Sequence, residues 1–157
     1  MDKAFFNNRE CGVLMKKLFV ALVVICFSSM VLAHPNSPIL DSTLKSAESG
    51  NLRALNQSFR LLAKSDGAVA EDASIAIGKS IQKNPRNFLL VLKKNKKQIK
   101  NLDSLLGNLG DDYVDDLPKQ KAELEARLNA VQSVKASSLK KVRADCEATL
   151  QRLIAHR

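Results

Sequence analysis

Apolar residues downstream of residue 38 recur at intervals of three and four, the spacing that places side chains on one face of an α-helix. Two segments show the pattern most clearly: Leu52, Leu55, Phe59 and Leu62 in the first, and Leu139, Val142, Cys146, Leu150 and Leu153 in the last. No segment shows the apolar–polar alternation that is typical of a half-buried strand. The chain is therefore predicted to be all-α, with six or seven helices packed as αα-hairpins.

Turn and capping residues divide this pattern into helices. Gly50 is placed for a left-handed residue at a helix end, and Asn51 for the cap of the next helix. Asn84-Pro85 is a second boundary, because proline disfavours helical geometry at the residue before it and fits the first helical position. We predict helices over 39–49, 52–64 and 85–94, a third helix that begins near Val69 and ends at Lys83, and a fifth from Ile99 to Leu109.

The C-terminal part is predicted to be a long helical hairpin. Pro118 begins a polar helix that Asp115 or Asp116 can cap, and a break near 133–137 precedes the last helix. The apolar stripes of both helices are narrow. The hairpin over 117–157 is expected either to pack across a helical core at 34–110 or to project as a coiled-coil arm.

The N-terminal residues resemble a secretory signal peptide. Met15-Lys16-Lys17 supplies the positive start, the run from Leu18 to Phe27 is entirely apolar, and Val31-x-Ala33 provides the small residues that precede cleavage. We predict that 1–33 are an N-terminal extension and a cleavable leader, with Met15 as the true start, and that the exported protein is periplasmic or secreted. A permanent membrane anchor and a lipoprotein are the alternatives.

Composition narrows the fold and the function. Residues 34–157 have an ordinary length for a single domain and contain one cysteine, Cys146, so no disulfide within this domain is expected. Its aromatic residues are Phe59, Phe88 and Tyr113, too few for a surface that stacks bases or sugars. The formal net charge of the whole chain is +9, which favours anionic partners.

The charges are segregated along the chain. No acidic residue lies between Asp72 and Asp103, and the densest basic part of this interval, the Lys93–Lys100 segment, contains Lys93, Lys94, Lys96, Lys97 and Lys100. An acidic loop then follows, with Asp111, Asp112, Asp115 and Asp116 around the apolar Tyr113 and Val114. Both segments are expected to be exposed and are the candidate partner contacts. A solvated face and helix-capping chemistry are the alternatives that involve no partner.

No residue pattern predicts catalysis, a cofactor or a metal site. The two histidines, His34 and His156, lie at the ends of the exported chain, so no hydroxyl nucleophile within the domain has an evident base. The acidic loop lacks the alternating ligand spacing of an EF-hand. We therefore predict a protein that is not an enzyme and holds no cofactor.

Two resemblances to known proteins indicate a kind of structure but no activity. Ala47-x-x-Gly50-Asn51-x-x-Ala54-Leu55 is similar to the helix-turn-helix junction of ankyrin-like and tetratrico-like repeats, although no second copy follows at a fixed period. The leader and helical make-up together resemble small secreted helical proteins of Gram-negative bacteria. The resemblance carries no functional residue.

Two functions remain at this stage. The first is binding of another protein, of the inhibitor, immunity or envelope accessory type, through the acidic loop and the basic segment. The alternative is electrostatic binding of anionic envelope polymers through the Lys93–Lys100 segment, which would weaken steeply as salt rises.

Overall fold

A computed structural model describes residues 38–157. The predicted leader and the segment from His34 to Ser37 lie outside the described residues. The described part contains seven α-helices and no strand. They are α1 (Pro38–Glu48), α2 (Leu52–Lys64), α3 (Gly67–Lys83), α4 (Pro85–Asn95), α5 (Leu102–Gly107), α6 (Leu117–Ser133) and α7 (Lys140–Ala155). The predicted all-α fold of packed helices is confirmed.

Local capping chemistry explains most of the helix boundaries. The Asn51 side chain accepts hydrogen bonds from the amides of Arg53 and Ala54, and the Asn84 side chain accepts one from the amide of Asn87. Gly50 takes the left-handed conformation predicted for it, with φ of +81°. Its α-carbon faces Asn84 closely, since a Cβ at Gly50 would lie 2.3 Å from the Asn84 Cβ. The turn between α1 and α2 therefore packs tightly against the turn between α3 and α4.

One hydrophobic core joins all seven helices. Helix α3 packs against α1, α2, α4, α5 and α6, so it lies at the centre of the fold. Phe59 from α2 and Phe88 from α4 are fully buried, and their rings meet at 6.4 Å between centroids. Helix α4 is buried along Phe88, Leu89, Val91 and Leu92, as its dense apolar sequence predicts.

The C-terminal hairpin is docked rather than extended. Helices α6 and α7 pack against each other, α6 also contacts α3 and α4, and α7 contacts α4 and α5. Arg152 on α7 forms an ion pair with Asp103 on α5, with Nη2 and Oδ1 2.9 Å apart. The hydrogen bond from Arg152 lowers the pKa of Asp103 below its ordinary value. This result decides between the two arrangements that the sequence left open.

Several details differ from the sequence predictions. The fifth helix is only Leu102–Gly107. A 3₁₀ turn at Lys96–Gln98 precedes Ile99, and the Asn101 side chain caps the start of the helix by accepting a hydrogen bond from the Ser104 amide. Leu109 lies in the following loop but is still buried. The spacing of apolar residues in α2 predicts that Leu52 faces the core, but Leu52 is exposed and Ser58 is buried instead.

Candidate interaction surfaces

The acidic loop has a defined conformation. Residues Asp111–Tyr113 form a 3₁₀ turn, and the Asp116 side chain caps α6 by accepting a hydrogen bond from the Lys119 amide at 2.9 Å. The Lys119 ammonium donates to the Asp112 carbonyl at 3.1 Å and lies 4.6 Å from the centre of the Tyr113 ring. Of the two predicted caps, Asp116 has this role and Asp115 stays exposed.

Tyr113 is less exposed than its sequence position predicts. Its ring is half-buried against the core, and its backbone carbonyl accepts a hydrogen bond from the buried Gln120 side chain. The apolar side chains that this region exposes are Val114 and Leu117, which are 65% and 54% exposed. Val114 therefore remains a candidate contact with a partner protein, and Leu117 is a second candidate.

Residues of α1 and α3 lie beside the acidic loop, and together they line a concavity that we call the acidic cleft. This cleft has a volume of about 490 Å³ and is lined by carboxylates from α1, α3 and the loop: Asp41, Glu48, Asp72, Asp111 and Asp112. Leu44, Ile75 and Leu109 add apolar side chains to its lining. Asp115 and Asp116 do not line it.

The basic residues at the acidic cleft leave most of its negative charge uncompensated. Lys45 and Lys79 are the two cations in its lining, and Lys79 pairs with Glu48 at 3.2 Å. Asp111 and Asp112 are predicted contacts, whereas Asp41, Glu48 and Asp72 are not. These three residues lie on α1 and α3, far from the acidic loop along the chain, so no local pattern connects them with it.

The Lys93–Lys100 segment is exposed, but the fold uses two of its lysines. The Lys93 ammonium donates to the Ser138 carbonyl at 3.0 Å, and Lys96 forms an ion pair with Asp145 on α7. Both lysines therefore attach α4 to the C-terminal hairpin. Lys94, Lys97 and Lys100 are exposed and form no ion pair within residues 38–157.

The acidic loop and the opposite end of α6 are well separated. Helix α6 begins directly after Asp116 and has 17 residues, so its two ends lie about 25 Å apart. Lys93 contacts the turn that precedes α7, and Lys96 contacts α7 itself. No residue of the Lys93–Lys100 segment lines the acidic cleft.

The most buried charge in the described residues belongs to Arg127, which is 1% exposed. Its Nη1 donates to the carbonyls of Leu106 and Asn108 at 2.9 and 3.1 Å, and its Nε pairs with Glu123 at 3.2 Å. Burial lowers the pKa of Arg127. The Arg127 side chain therefore joins α6 to the C-terminal end of α5, which is a structural role.

Chemistry at the remaining groups is limited within residues 38–157. No three side chains of His, Cys, Asp or Glu are placed to hold a metal ion there. Cys146 is buried, and burial raises the pKa of its thiol to about 12, so the reactive thiolate is suppressed at neutral pH. Among these helices, none combines the length and the apolarity needed to cross a membrane.

Comparison with protein-family models, with curated proteins and with solved structures found no match to this chain.

Proposed function

We propose that this protein acts without catalysis, by binding another protein at the acidic cleft. The observation that carries the proposal is the convergence of carboxylates from three separated segments around apolar side chains, in one open concavity. Charged groups at an interface steer association and select partners, while apolar residues supply most of the binding energy. The partner is expected to present basic residues around an apolar centre.

Exposed apolar residues close in sequence to those that line the acidic cleft support this proposal. Five large apolar side chains are exposed in residues 38–157, and three of them adjoin the segments that form the cleft. Ile39 precedes Asp41 on α1 and is 77% exposed, and Val114 and Leu117 follow Asp112. Exposed apolar residues among charges are typical of protein contact surfaces.

The predicted export belongs to the same proposal. The residues from Met15 to Ala33 resemble a secretory signal peptide, which supports a site of action in the periplasm or outside the cell. The mass of the protein isolated from an exporting host shows whether residues 1–33 have been removed. Residue His34 at the N-terminus is the expected result, and an uncleaved chain would contradict it.

The alternative, binding of anionic envelope polymers through the Lys93–Lys100 segment, has weaker support. Lys93 and Lys96 are engaged with the C-terminal hairpin, which leaves three lysines for a polymer. Exposed lysines that are not arranged around a concavity bind polyanions weakly and with a strong dependence on salt.

The experiment is crosslinking capture from envelope extract with the tagged chain, at low and at moderate salt. Asp111→Asn with Asp112→Asn removes two carboxylates of the cleft, and neither side chain makes a hydrogen bond within residues 38–157. Asp66→Asn with Glu125→Gln is the matched control, since it changes the charge equally at two exposed sites outside the cleft. We expect one stoichiometric protein with the wild type and the control, and its loss with the cleft variant.

Equal capture by all three chains would contradict the proposal. Capture of only polyanionic material that is released by moderate salt would favour the alternative function. A second variant, Val114→Ser, tests the apolar contribution. Because Val114 is exposed, we expect weaker capture with unchanged stability, and undiminished capture would exclude Val114 from the contact.

A further inference from the structure

A second cleft lies at the opposite end of α6 from the acidic loop. Residues 83–86, where α3 ends and α4 begins, and residues 133–136, where α6 ends, line a concavity of about 640 Å³. Its charged residues are Lys83, Arg86 and Lys135, and no carboxylate lines it. We call this concavity the basic cleft. It contains none of the residues of the Lys93–Lys100 segment.

No carboxylate pairs with the cations of the basic cleft within the described part of the chain, although the Lys135 ammonium donates a hydrogen bond to the Gln132 carbonyl at 3.0 Å. None of its three cations takes part in an ion pair in residues 38–157, whereas Lys79 and Lys96 elsewhere on the surface do. Three like charges that share a concavity repel one another, and an anion between them relieves that repulsion.

Of the three helix ends at the basic cleft, the start of α4 favours an anion, whereas α3 and α6 present their negative ends there. Helix α4 begins at the basic cleft, so the positive end of its dipole lies there. The Arg86 amide occupies the second position of this helix and donates to no backbone or side-chain acceptor in residues 38–157. Helix amides and an arginine side chain both suit phosphate oxygens.

We propose that the basic cleft binds a compact, soluble molecule that carries several phosphate groups. The three cations come from two separated segments and meet in a concavity, which suits clustered phosphates better than the flat face of a membrane. No aromatic side chain lines the cleft, so it offers no surface on which a nucleobase could stack. This site is independent of the protein-binding function proposed for the acidic cleft.

The test is calorimetric titration of the full-length chain with inorganic tripolyphosphate. The cleft variant combines Lys83→Gln, Arg86→Gln and Lys135→Gln. The control variant combines Lys94→Gln, Lys97→Gln and Lys100→Gln, which removes the same charge from exposed lysines outside the cleft. Circular dichroism of each variant checks that the helices are retained.

We expect the cleft variant to lose affinity at least about tenfold, because it removes direct charge-assisted contacts. The control should lose about threefold or less, since charges beyond a Debye length are screened. Equal losses in the two variants, or absence of binding by the wild type, would overturn the proposal. Co-sedimentation with phosphatidylglycerol vesicles in the absence of tripolyphosphate binding would also overturn it, in favour of a membrane surface.

Discussion

Replacement of Gly78 by alanine tests whether the buried Arg127 is held rigidly in the centre of the fold. An ideal Cβ at Gly78 would lie 2.8 Å from Nη1, 3.1 Å from Nη2 and 3.2 Å from Cζ of Arg127. Each of these distances is shorter than an ordinary van der Waals contact. The guanidinium group would have to move, although two carbonyls and Glu123 hold it in place.

Two opposing effects determine the free energy of unfolding of this variant. Alanine is favoured over glycine in a helix interior by about 1 kcal/mol. Overpacking of a core costs about 1–3 kcal/mol, and each hydrogen bond to a charged group contributes about 1.5–3 kcal/mol that displacement would weaken. Because Arg127 is 1% exposed and has no open space to enter, we expect Gly78→Ala to destabilise the protein by about 1–3 kcal/mol.

The assay is urea unfolding followed by far-ultraviolet circular dichroism. Gly107→Ala is the matched control, because Gly107 is also helical and its added Cβ would meet only the Leu153 methyl groups at 3.4 and 3.6 Å. We expect the control to remain within about 1 kcal/mol of the wild type. A Gly78→Ala variant as stable as the wild type would refute the rigid placement of Arg127.

A double-mutant cycle identifies the group that meets the new methyl group. Arg127→Met removes the guanidinium from the space beside Gly78. The cost of Gly78→Ala should then fall by about 1 kcal/mol or more relative to the wild-type background. An unchanged cost would assign the strain to another neighbour of Gly78.

Three further predictions concern other contacts of the fold. Gly50→Ala should destabilise by about 2–4 kcal/mol in urea unfolding, because φ is +81° and the new Cβ would overlap Asn84; a loss below about 1 kcal/mol would contradict this. The Cys146 thiol should react with a thiol reagent only when the protein unfolds, and rapid labelling of the native protein would contradict this. The free energy of unfolding should also fall above the ordinary thiol pKa of about 8.5, because the thiol of the unfolded state then ionises while the buried thiol does not. Asp103→Asn should lower stability at neutral pH. Because the pKa of Asp103 is lowered in the folded state, the difference in stability from the wild type should disappear as acid protonates Asp103 below its ordinary pKa. A difference that persists in strong acid would argue against the ion pair with Arg152.

Periodicity and capping residues determined the helices of this protein. The spacing of Leu55 and Phe59, the cap at Asn51 and the proline at Pro85 are local signals, and each acts within one or two turns of helix. The same signals were less successful where the chain departs from a regular helix, as at Ile99 and Leu109. There an apolar residue is buried from a loop, and periodicity does not distinguish that from burial on a helix face.

Contacts between distant segments were decided only by the tertiary structure. The sequence marked Asp111 and Asp112 as exposed acids, but a local pattern cannot reveal that Asp41 and Asp72 join them, because these residues meet through the packing of α1 and α3. Arg127 reads as one more surface charge on a polar helix. Its burial follows from the absence of a side chain at Gly78, 49 residues earlier in the chain. The sequence by itself thus determined the helices and their order, because helix formation depends on neighbouring residues, and tertiary packing alone decided which charges share a cleft and which are buried.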